Sequence, residues 1–411
     1  MRTMRNYYSR LAMTVTLGAV CMLAWTPSGS QAQIIITPPQ LPPPAKQYHA
    51  TDLGLAFDAG ALNNQEGDAV TATFEVERFV NGVRRSRPVI RTLNDPCRDN
   101  MDLDTRTGVP TSINDSRIVV GFLGVDAMEW FPSNCPNTVQ LGALPRLTPT
   151  SAFQTAQAFG NNNSRDAVGA TSQFFLEFTA GGSVPTVWRK VQGGFTVTQL
   201  QTPLRPAPLN ALHQPGVALD INESGTIVGS TTVGSQSFTR AAIFFENQDP
   251  QILQQPNAAA DLLFRLHSAQ GISNNGHIAG IASRRLPGGV RQNRGFIRTP
   301  DGTNVMARIP NEGGYVSGEA YKVNDDGLAV GTAFKNDGGT EAVLWNSEGR
   351  PAMLNDNVAD LPAGTVLTEA VDINNADTIL AKGMVNGQLH VFLLRRFSIG
   401  IIYFLPDNRL F

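Results

Sequence analysis

A short motif recurs about every fifty residues along this 411-residue chain. Its clearest copies read DINESGTIVG from Asp220, GISNNGHIAG from Gly271, KVNDDGLAVG from Lys322 and DINNADTIL from Asp372. With weaker copies included, the aligned asparagines stand at positions 63, 114, 162, 222, 274, 324 and 374. A period near 50 residues is typical of a four-stranded propeller blade, whereas tetratricopeptide, ankyrin and leucine-rich repeats are shorter.

Each repeat reads as a sequence of strands joined by tight turns. A short apolar strand ends at the asparagine, whose side chain can bond to the backbone two residues on and nucleate a turn. A glycine such as Gly225 supplies the positive φ of a hairpin, and an Ile-Val-Gly strand follows. A third strand carries large apolar residues, for example Trp188 or Trp345, and a short fourth strand ends the unit.

Seven such units predict an all-β, seven-bladed β-propeller of about 28 strands, spanning residues 47–396, with six or eight blades as alternatives. The last repeat supplies three strands, and residues 48–54 precede the first turn without a partner of their own. Pairing this N-terminal strand with the last blade would close the ring and remove two sheet edges.

The repeat pattern resembles the bacterial HAF repeat, an extracellular repeat. The last repeat matches it best, with LNDN from Leu354, LPAG from Leu361, LTEA from Leu367 and DIN from Asp372, and Asp52-Leu53-Gly54 matches its opening strand. The resemblance covers nearly the whole chain that follows the N-terminal segment. It implies export and a propeller-like fold, and it brings no catalytic residues with it.

The N-terminal 32 residues have the pattern of a Sec-type signal peptide. Arg2, Arg5 and Arg10 precede an apolar run, and small residues lead to a cleavage site near Ala32-Gln33. The sequence therefore predicts a secreted or periplasmic protein. Residues 33–46 read as a proline-rich linker, and the apolar tail at 397–411 is too short to span a membrane, so no transmembrane segment is expected in the mature chain.

Two cysteines, Cys97 and Cys135, remain after signal cleavage. An even, small number of cysteines in an exported chain predicts one disulfide, with two unpaired buried thiols as the alternative.

Composition limits the partners and cofactors. Only 16% of residues are charged and the formal net charge is −2, so no basic field is expected to attract nucleic acid. The motif beginning at Asp220 resembles the start of a calcium loop, but an apolar residue stands where a later carboxylate is needed. The five histidines form no metal-binding pair, and the sequence predicts neither a metal nor another cofactor.

Arginines stand out against this background. Arg284, Arg285, Arg291 and Arg294 lie between the second and third strands of the fifth repeat, and Arg84, Arg85 and Arg87 take the corresponding place in the first. We expect this face of the propeller to bind an anionic partner, either an acidic polysaccharide or the carboxylates of a surface protein. The alternative is an ordinary solvated loop.

The sequence favours a non-enzymatic binding or interaction module, because no catalytic constellation is visible in it. The alternative is a secreted carbohydrate-active hydrolase or lyase with carboxylates at the propeller mouth. Asp220 and Asp372 are candidates, but their matching repeat positions favour a structural role in the turn. A purely structural surface-layer component is a third interpretation.

Overall fold

A computed structural model describes residues 47–64, 69–80, 83–92, 101–102, 108–132, 139–143, 154–173, 182–204, 214–234, 238–256, 261, 263–310 and 313–397. The predicted signal peptide, linker and disulfide, and the tail beyond residue 397, lie outside these described residues. Strands dominate the described chain. The helical elements there are the four-residue helix α1 (Leu354–Asn357) and a short 3₁₀ turn (Pro287–Gly289).

The strands follow one another with the periodicity of the repeats. The first repeat contains β1 (Tyr48–Leu62), β2 (Ala69–Val80), β3 (Val83–Thr92) and β4 (Met101–Asp102). The second contains β5 (Val109–Ile113), β6 (Val119–Leu123), β7 (Asp126–Pro132) and β8 (Val139–Ala143). The third contains β9 (Gln154–Asn161), β10 (Ala167–Gln173), β11 (Gly182–Val191) and β12 (Gly194–Gln199). The fourth contains β13 (Gly216–Ile221), β14 (Ile227–Val233), β15 (Phe238–Phe244) and β16 (Gln251–Ile252).

The last three repeats continue the same order. The fifth contains β17 (Arg265–Ile272), β18 (Ile278–Arg285), β19 (Arg291–Arg298) and β20 (Asn304–Met306). The sixth contains β21 (Tyr315–Val323), β22 (Ala329–Lys335), β23 (Thr340–Trp345) and β24 (Pro351–Met353). The seventh contains β25 (Val366–Ile373), β26 (Ile379–Val385) and β27 (Gln388–Arg396).

The fold is an all-β propeller built from four-stranded antiparallel blades. Repeats two to six each form one four-stranded sheet in which consecutive strands are neighbours. The predicted count of seven separate blades is wrong for this structure, which has six sheets. The sixth sheet has seven strands in the order β25-β26-β27-β1-β2-β3-β4.

Strand β1 is the reason for this difference. Its first half pairs with β27, from Tyr48 opposite Arg396 to Leu55 opposite His390. Its second half pairs with β2, from Ala56 opposite Phe74 to Leu62 opposite Val70. The sequence suggested two strands here, but the chain passes from one pairing to the other without a loop, with an irregularity of register beside Gly54.

Apolar side chains fill the space between neighbouring sheets. Trp130, Trp188 and Trp345 on the third strands have no exposed surface. Trp188, for example, packs with Val120 and Ala127 of the second repeat. Burying aromatic side chains of this size is a main source of stability between the sheets.

The glycine of the Ile-Val-Gly strand permits a close approach of two backbones. A Cβ on Gly229 would lie 2.0 Å from the carbonyl oxygen of Val217 on the adjacent strand. This contact lies inside one blade, beside a bulge in β13 between Ala218 and Asp220.

The turn between the first and second strands has one geometry in most repeats. In the fourth repeat, Asn222 Oδ1 accepts a hydrogen bond from the Thr226 backbone N–H at 2.9 Å, and Gly225 has a φ of +81°. The fifth repeat was misaligned by one residue in the sequence, because Ser273 rather than Asn274 occupies the asparagine position. Ser273 Oγ accepts from the backbone N–H of His277, four residues on, at 3.1 Å.

Candidate functional site

The predicted arginines of the fifth repeat lie on the hairpin of β18 and β19. Arg284 is opposite Gln292 and Arg285 is opposite Arg291. The strands are joined by residues 286–290, where the Leu286 N–H donates to the Val290 carbonyl at 2.8 Å. In an antiparallel blade this turn lies at the end opposite to the asparagine turns, together with the connections between blades. We call that end the crossover face.

Two of the four predicted arginines are held by contacts inside the protein. Arg294 pairs with Asp261 at 2.7 Å and also donates to the Ala307 carbonyl at 3.1 Å. Arg284 donates to Gln292 Oε1 at 2.7 Å, and its guanidinium lies 4.7 Å from the Phe264 ring centroid. These two residues therefore stabilise the hairpin.

Arg285 and Arg291 are different. Both are exposed, and neither side chain makes a hydrogen bond or ion pair with any residue that the structure describes. Two guanidinium groups on directly opposite residues of a hairpin form a fork that can contact a carboxylate, sulfate or phosphate without breaking an internal bond.

The fold adds three basic residues, Arg240 of β15 and Arg265 and His267 of β17. Arg240 of β15 and Arg265 of β17 lie 5.5 Å and 5.7 Å from the ring centroid of Phe238. Burial and the nearby charge of Arg265 lower the pKa of Arg240. Burial, followed by the charges of Arg291 and Arg240, lowers the pKa of His267.

We call Arg240, Arg265, Arg284, Arg285 and Arg291 the arginine patch. Sequence reasoning missed Arg240 and Arg265 because they are isolated arginines at two different strand starts. The signal that could have identified them is that both stand near the beginning of a strand. Arg84, Arg85 and Arg87 of the first repeat lie on β3, but their side chains are outside the described part of the chain.

A second candidate site lies at the other end of the sheets. There the asparagine turns surround a narrow cavity of about 100 Å³ lined by residues of all seven repeats. The turn side chains donate to the backbone of the next repeat: Asn114 to Asn162 O at 2.9 Å, Asn162 to Asn222 O at 3.3 Å, Asn222 to Ser273 O at 3.1 Å, Asn275 to Asp325 O at 3.2 Å, Asn324 to Asn374 O at 3.3 Å and Asn374 to Asn63 O at 3.2 Å.

Three charged residues line this cavity at the same repeat position. Asp220, Lys322 and Asp372 each stand two residues before the turn residue. Lys322 Nζ contacts Asp220 Oδ2 at 2.8 Å, although the two residues are 102 positions apart. Burial alone would lower the pKa of Lys322, but the carboxylates of Asp220 and Asp372 raise it above its ordinary value.

The two aspartates also accept hydrogen bonds from the backbone. Asp220 accepts from the N–H groups of Ile221 and Ile272, each at 3.0 Å. Asp372 accepts from Leu62 at 2.9 Å and from Ile373 at 2.8 Å. Burial raises the pKa of Asp372 to about 6. Their carboxylate oxygens thus satisfy N–H groups at the bulges of two neighbouring repeats.

The described residues contain no group of three or more His, Cys, Asp or Glu side chains arranged to hold a metal ion. Nor does the described chain include any helix with the length and apolar character needed to cross a bilayer.

Comparisons with known proteins show likeness at the level of the fold. No family model and no curated protein matches the sequence. The β-propeller domain of the Trilobed protease from Pyrococcus furiosus is similar over 86% of this chain and 99% of its own, with 13% identity and a TM-score of 0.47. The polysaccharide lyase Uly1 is similar over 85% of this chain and 99% of its own, with 9% identity and a TM-score of 0.46.

Pyrococcus horikoshii acylaminoacyl peptidase is a third similar structure, with 14% identity and a TM-score of 0.48. The match covers 86% of this chain but only 52% of that peptidase, so the chain spans about half of its length.

Proposed function

We propose that this chain is an exported, non-enzymatic β-propeller that binds an anionic partner through the arginine patch. One observation carries the proposal: Arg285 and Arg291 face each other at the end of a hairpin, exposed and without a counter-charge among the described residues. Electrostatic attraction at such a patch raises the association rate and selects partners of opposite charge.

The proposal includes a closed ring of seven repeats that holds the patch in place. The hydrogen bonds between successive turns support it, because they lead from the second repeat through the seventh and then to Asn63 of the first. The first-to-second link is the bond from the Asn64 N–H to Asp115 Oδ1 at 2.8 Å.

The alternative of a carbohydrate-active hydrolase or lyase needs carboxylates that are free to act on a substrate. Asp220 and Asp372 instead accept two backbone N–H groups each, and Lys322 contacts Asp220. These contacts support the binding module over an enzyme that uses these two aspartates.

The test is retention on an immobilised acidic polysaccharide, such as polygalacturonate, over a range of salt concentrations. We expect Arg285→Ser combined with Arg291→Ser to elute at clearly lower salt than the unchanged protein, because exposed charge pairs are screened by salt. Arg350→Ser is the matched control, since Arg350 lies in a turn at the opposite end of the sixth repeat and pairs with Glu348. Equal retention of all three proteins would refute the proposal.

The same preparation tests the enzyme alternative. Incubation with acidic and neutral polysaccharides should release no reducing sugar and no unsaturated product. Product formation that disappears in Asp372→Asn or Asp220→Asn would favour the hydrolase or lyase.

Export and membership of the HAF repeat family stand as parts of this proposal. Both are supported by the sequence pattern alone, including the small residues before Gln33. Mass spectrometry of the N-terminus after expression in a bacterial host would test export, with cleavage after Ala32 as the expected result.

A further inference from the structure

Large apolar side chains are exposed beside the arginine patch. Leu263 is 69% exposed, Val290 is 61% exposed and Phe238 is 43% exposed. Phe238 begins β15, Leu263 stands just before β17 and Val290 stands just before β19, so all three lie on the crossover face. Exposed apolar residues grouped beside charge of one sign are a feature of interaction surfaces.

The hairpin tip that carries Val290 protrudes. It reads Arg285-Leu286-Pro287-Gly288-Gly289-Val290-Arg291, with an arginine on each side of the apolar residues. Among the described residues, no atom outside the immediate chain neighbours lies within 4 Å of the position where a Cβ on Gly288 or Gly289 would sit. A convex tip of this kind can insert into an apolar phase, but it does not form a groove that could bind a peptide.

We infer that the arginine patch and this hairpin tip dock on the surface of an anionic lipid bilayer. This inference rests on the proposed function and names the partner. Leu286 and Val290 enter the interface at the level of the headgroups, while Arg285 and Arg291 contact lipid phosphates. Arg240 and Arg265, together with Phe238, extend the same contact to the fourth repeat.

One property of the surface favours a bilayer over an acidic polysaccharide. Charge complementarity applies to both, since none of the five arginines of the patch forms an ion pair with an acidic residue in the described part of the chain. The exposed aliphatic side chains, however, are stabilised only when they leave water. A hydrated polysaccharide offers them no apolar phase, whereas the interface of a bilayer does.

The experiment is co-sedimentation of the full chain with two kinds of vesicle, pure phosphatidylcholine and a mixture of phosphatidylcholine and phosphatidylglycerol. We expect the protein to sediment with the anionic vesicles and to remain in solution with the neutral ones. Because each arginine near an anionic surface contributes about 1 kcal/mol, Arg285→Ser with Arg291→Ser should lower the partition coefficient roughly thirtyfold.

Val290→Ser isolates the apolar contribution. Removing an exposed valine from the interface should lower partitioning into anionic vesicles about tenfold, and it should leave retention on polygalacturonate unchanged. Val191→Ser is the matched control, because Val191 is 42% exposed at the last position of β11, at the opposite end of the third repeat. It should bind vesicles as the unchanged protein does.

The outcomes separate the two proposals. If the unchanged protein binds polygalacturonate but not anionic vesicles, or if Val290→Ser binds vesicles normally, the bilayer is the wrong partner and the proposed function stands. If neither vesicles nor polygalacturonate are bound, both proposals fail. All substituted residues are exposed, so the variants should keep the circular dichroism spectrum and melting temperature of the parent.

Discussion

The buried carboxyl group of Asp372 has a structural role, because it accepts hydrogen bonds from two repeats. Only 7% of the residue is exposed, and its two oxygens accept backbone N–H groups from Ile373 and from Leu62 of another repeat. Burial disfavours the charged form, while Lys322 and the two N–H donors favour it. Burial has the largest effect and raises the pKa of Asp372 to about 6.

Because of this raised pKa, the contribution of Asp372 to the free energy of unfolding should fall as the pH rises. Between the ordinary value of 3.8 and about 6, the folded protein binds more protons at Asp372 than the unfolded chain does. The contribution of Asp372 is therefore complete below pH 4 and lost by about pH 6, with a magnitude of about 3 kcal/mol. Urea unfolding of the parent and of Asp372→Asn from pH 3 to pH 7 should show a difference in unfolding free energy that declines over this window.

Asp301 provides a control, because its contribution to stability changes with pH in the opposite direction. Hydrogen bonds from Thr299 and Thr303 lower the pKa of this exposed carboxyl group. Its stabilising contribution is present above the ordinary pKa and is lost as the pH falls below about 4. A difference curve for Asp372→Asn that is flat, or that follows the Asp301→Asn curve, would contradict the buried environment of Asp372.

At the scale of elements, β1 decides how the first and last repeats meet. The backbone N–H of Ala50 donates to Asp360 at 2.7 Å, away from β27. Because N–H groups alternate along a strand, those of His49 and Thr51 face β27. Strand β1 therefore pairs with the seventh repeat through its first half and with the rest of the first repeat through its second half.

Thr51→Pro tests this strand. Proline removes the N–H that faces β27 and leaves the carbonyl of an opposite residue unpaired, so we expect a loss of about 3 kcal/mol in the free energy of unfolding. Hydrogen exchange of the amides in β27 should accelerate. Thr51→Val keeps the N–H at this exposed position and should unfold like the parent. Equal stability of the proline and valine variants would show that β1 does not hold the last repeat.

At the scale of the whole molecule, Lys322 joins charges from distant parts of the chain. It pairs with Asp220 of the fourth repeat and lies near Asp372 of the seventh. Removing it would leave two carboxylates in the cavity without their cation. A partly buried pair depends on both members, because each charge has lost solvation.

A double-mutant cycle measures this coupling. We expect Lys322→Met to cost about 3 kcal/mol or more in the free energy of unfolding, and the combination with Asp220→Asn to cost less than the sum of the single changes. Arg350→Met removes an exposed ion pair with Glu348 and should change stability by no more than about 1 kcal/mol. Strict additivity of Lys322→Met and Asp220→Asn would show that the pair is not coupled.

Much of the fold could be predicted because residues within each repeat determine the turns and strands of that repeat. The turn at Asn222 and the positive φ at Gly225 both follow from residues within one repeat. The same local reasoning misplaced Ser273, because a neighbouring asparagine matched the pattern better than the residue that makes the bond. It also attributed the left-handed position to glycine, whereas Arg165 and Asp377 occupy it elsewhere with φ values of 66° and 57°.

The candidate site was predictable only in outline. The sequence placed four arginines on one hairpin, but it could not show that Asp261 and Phe264 hold two of them and leave Arg285 and Arg291 free. Those contacts join residues that are distant in sequence, and no local pattern encodes them.

The sequence by itself determined that the chain forms four-stranded β units about fifty residues long, because turn chemistry and strand alternation act over a few residues. Only the tertiary structure decided that β1 runs unbroken through two pairings, that Lys322 meets Asp220, and that Arg240 and Arg265 join the hairpin arginines. Each of these depends on how complete repeats pack against one another, so it is fixed only when the sheets are assembled.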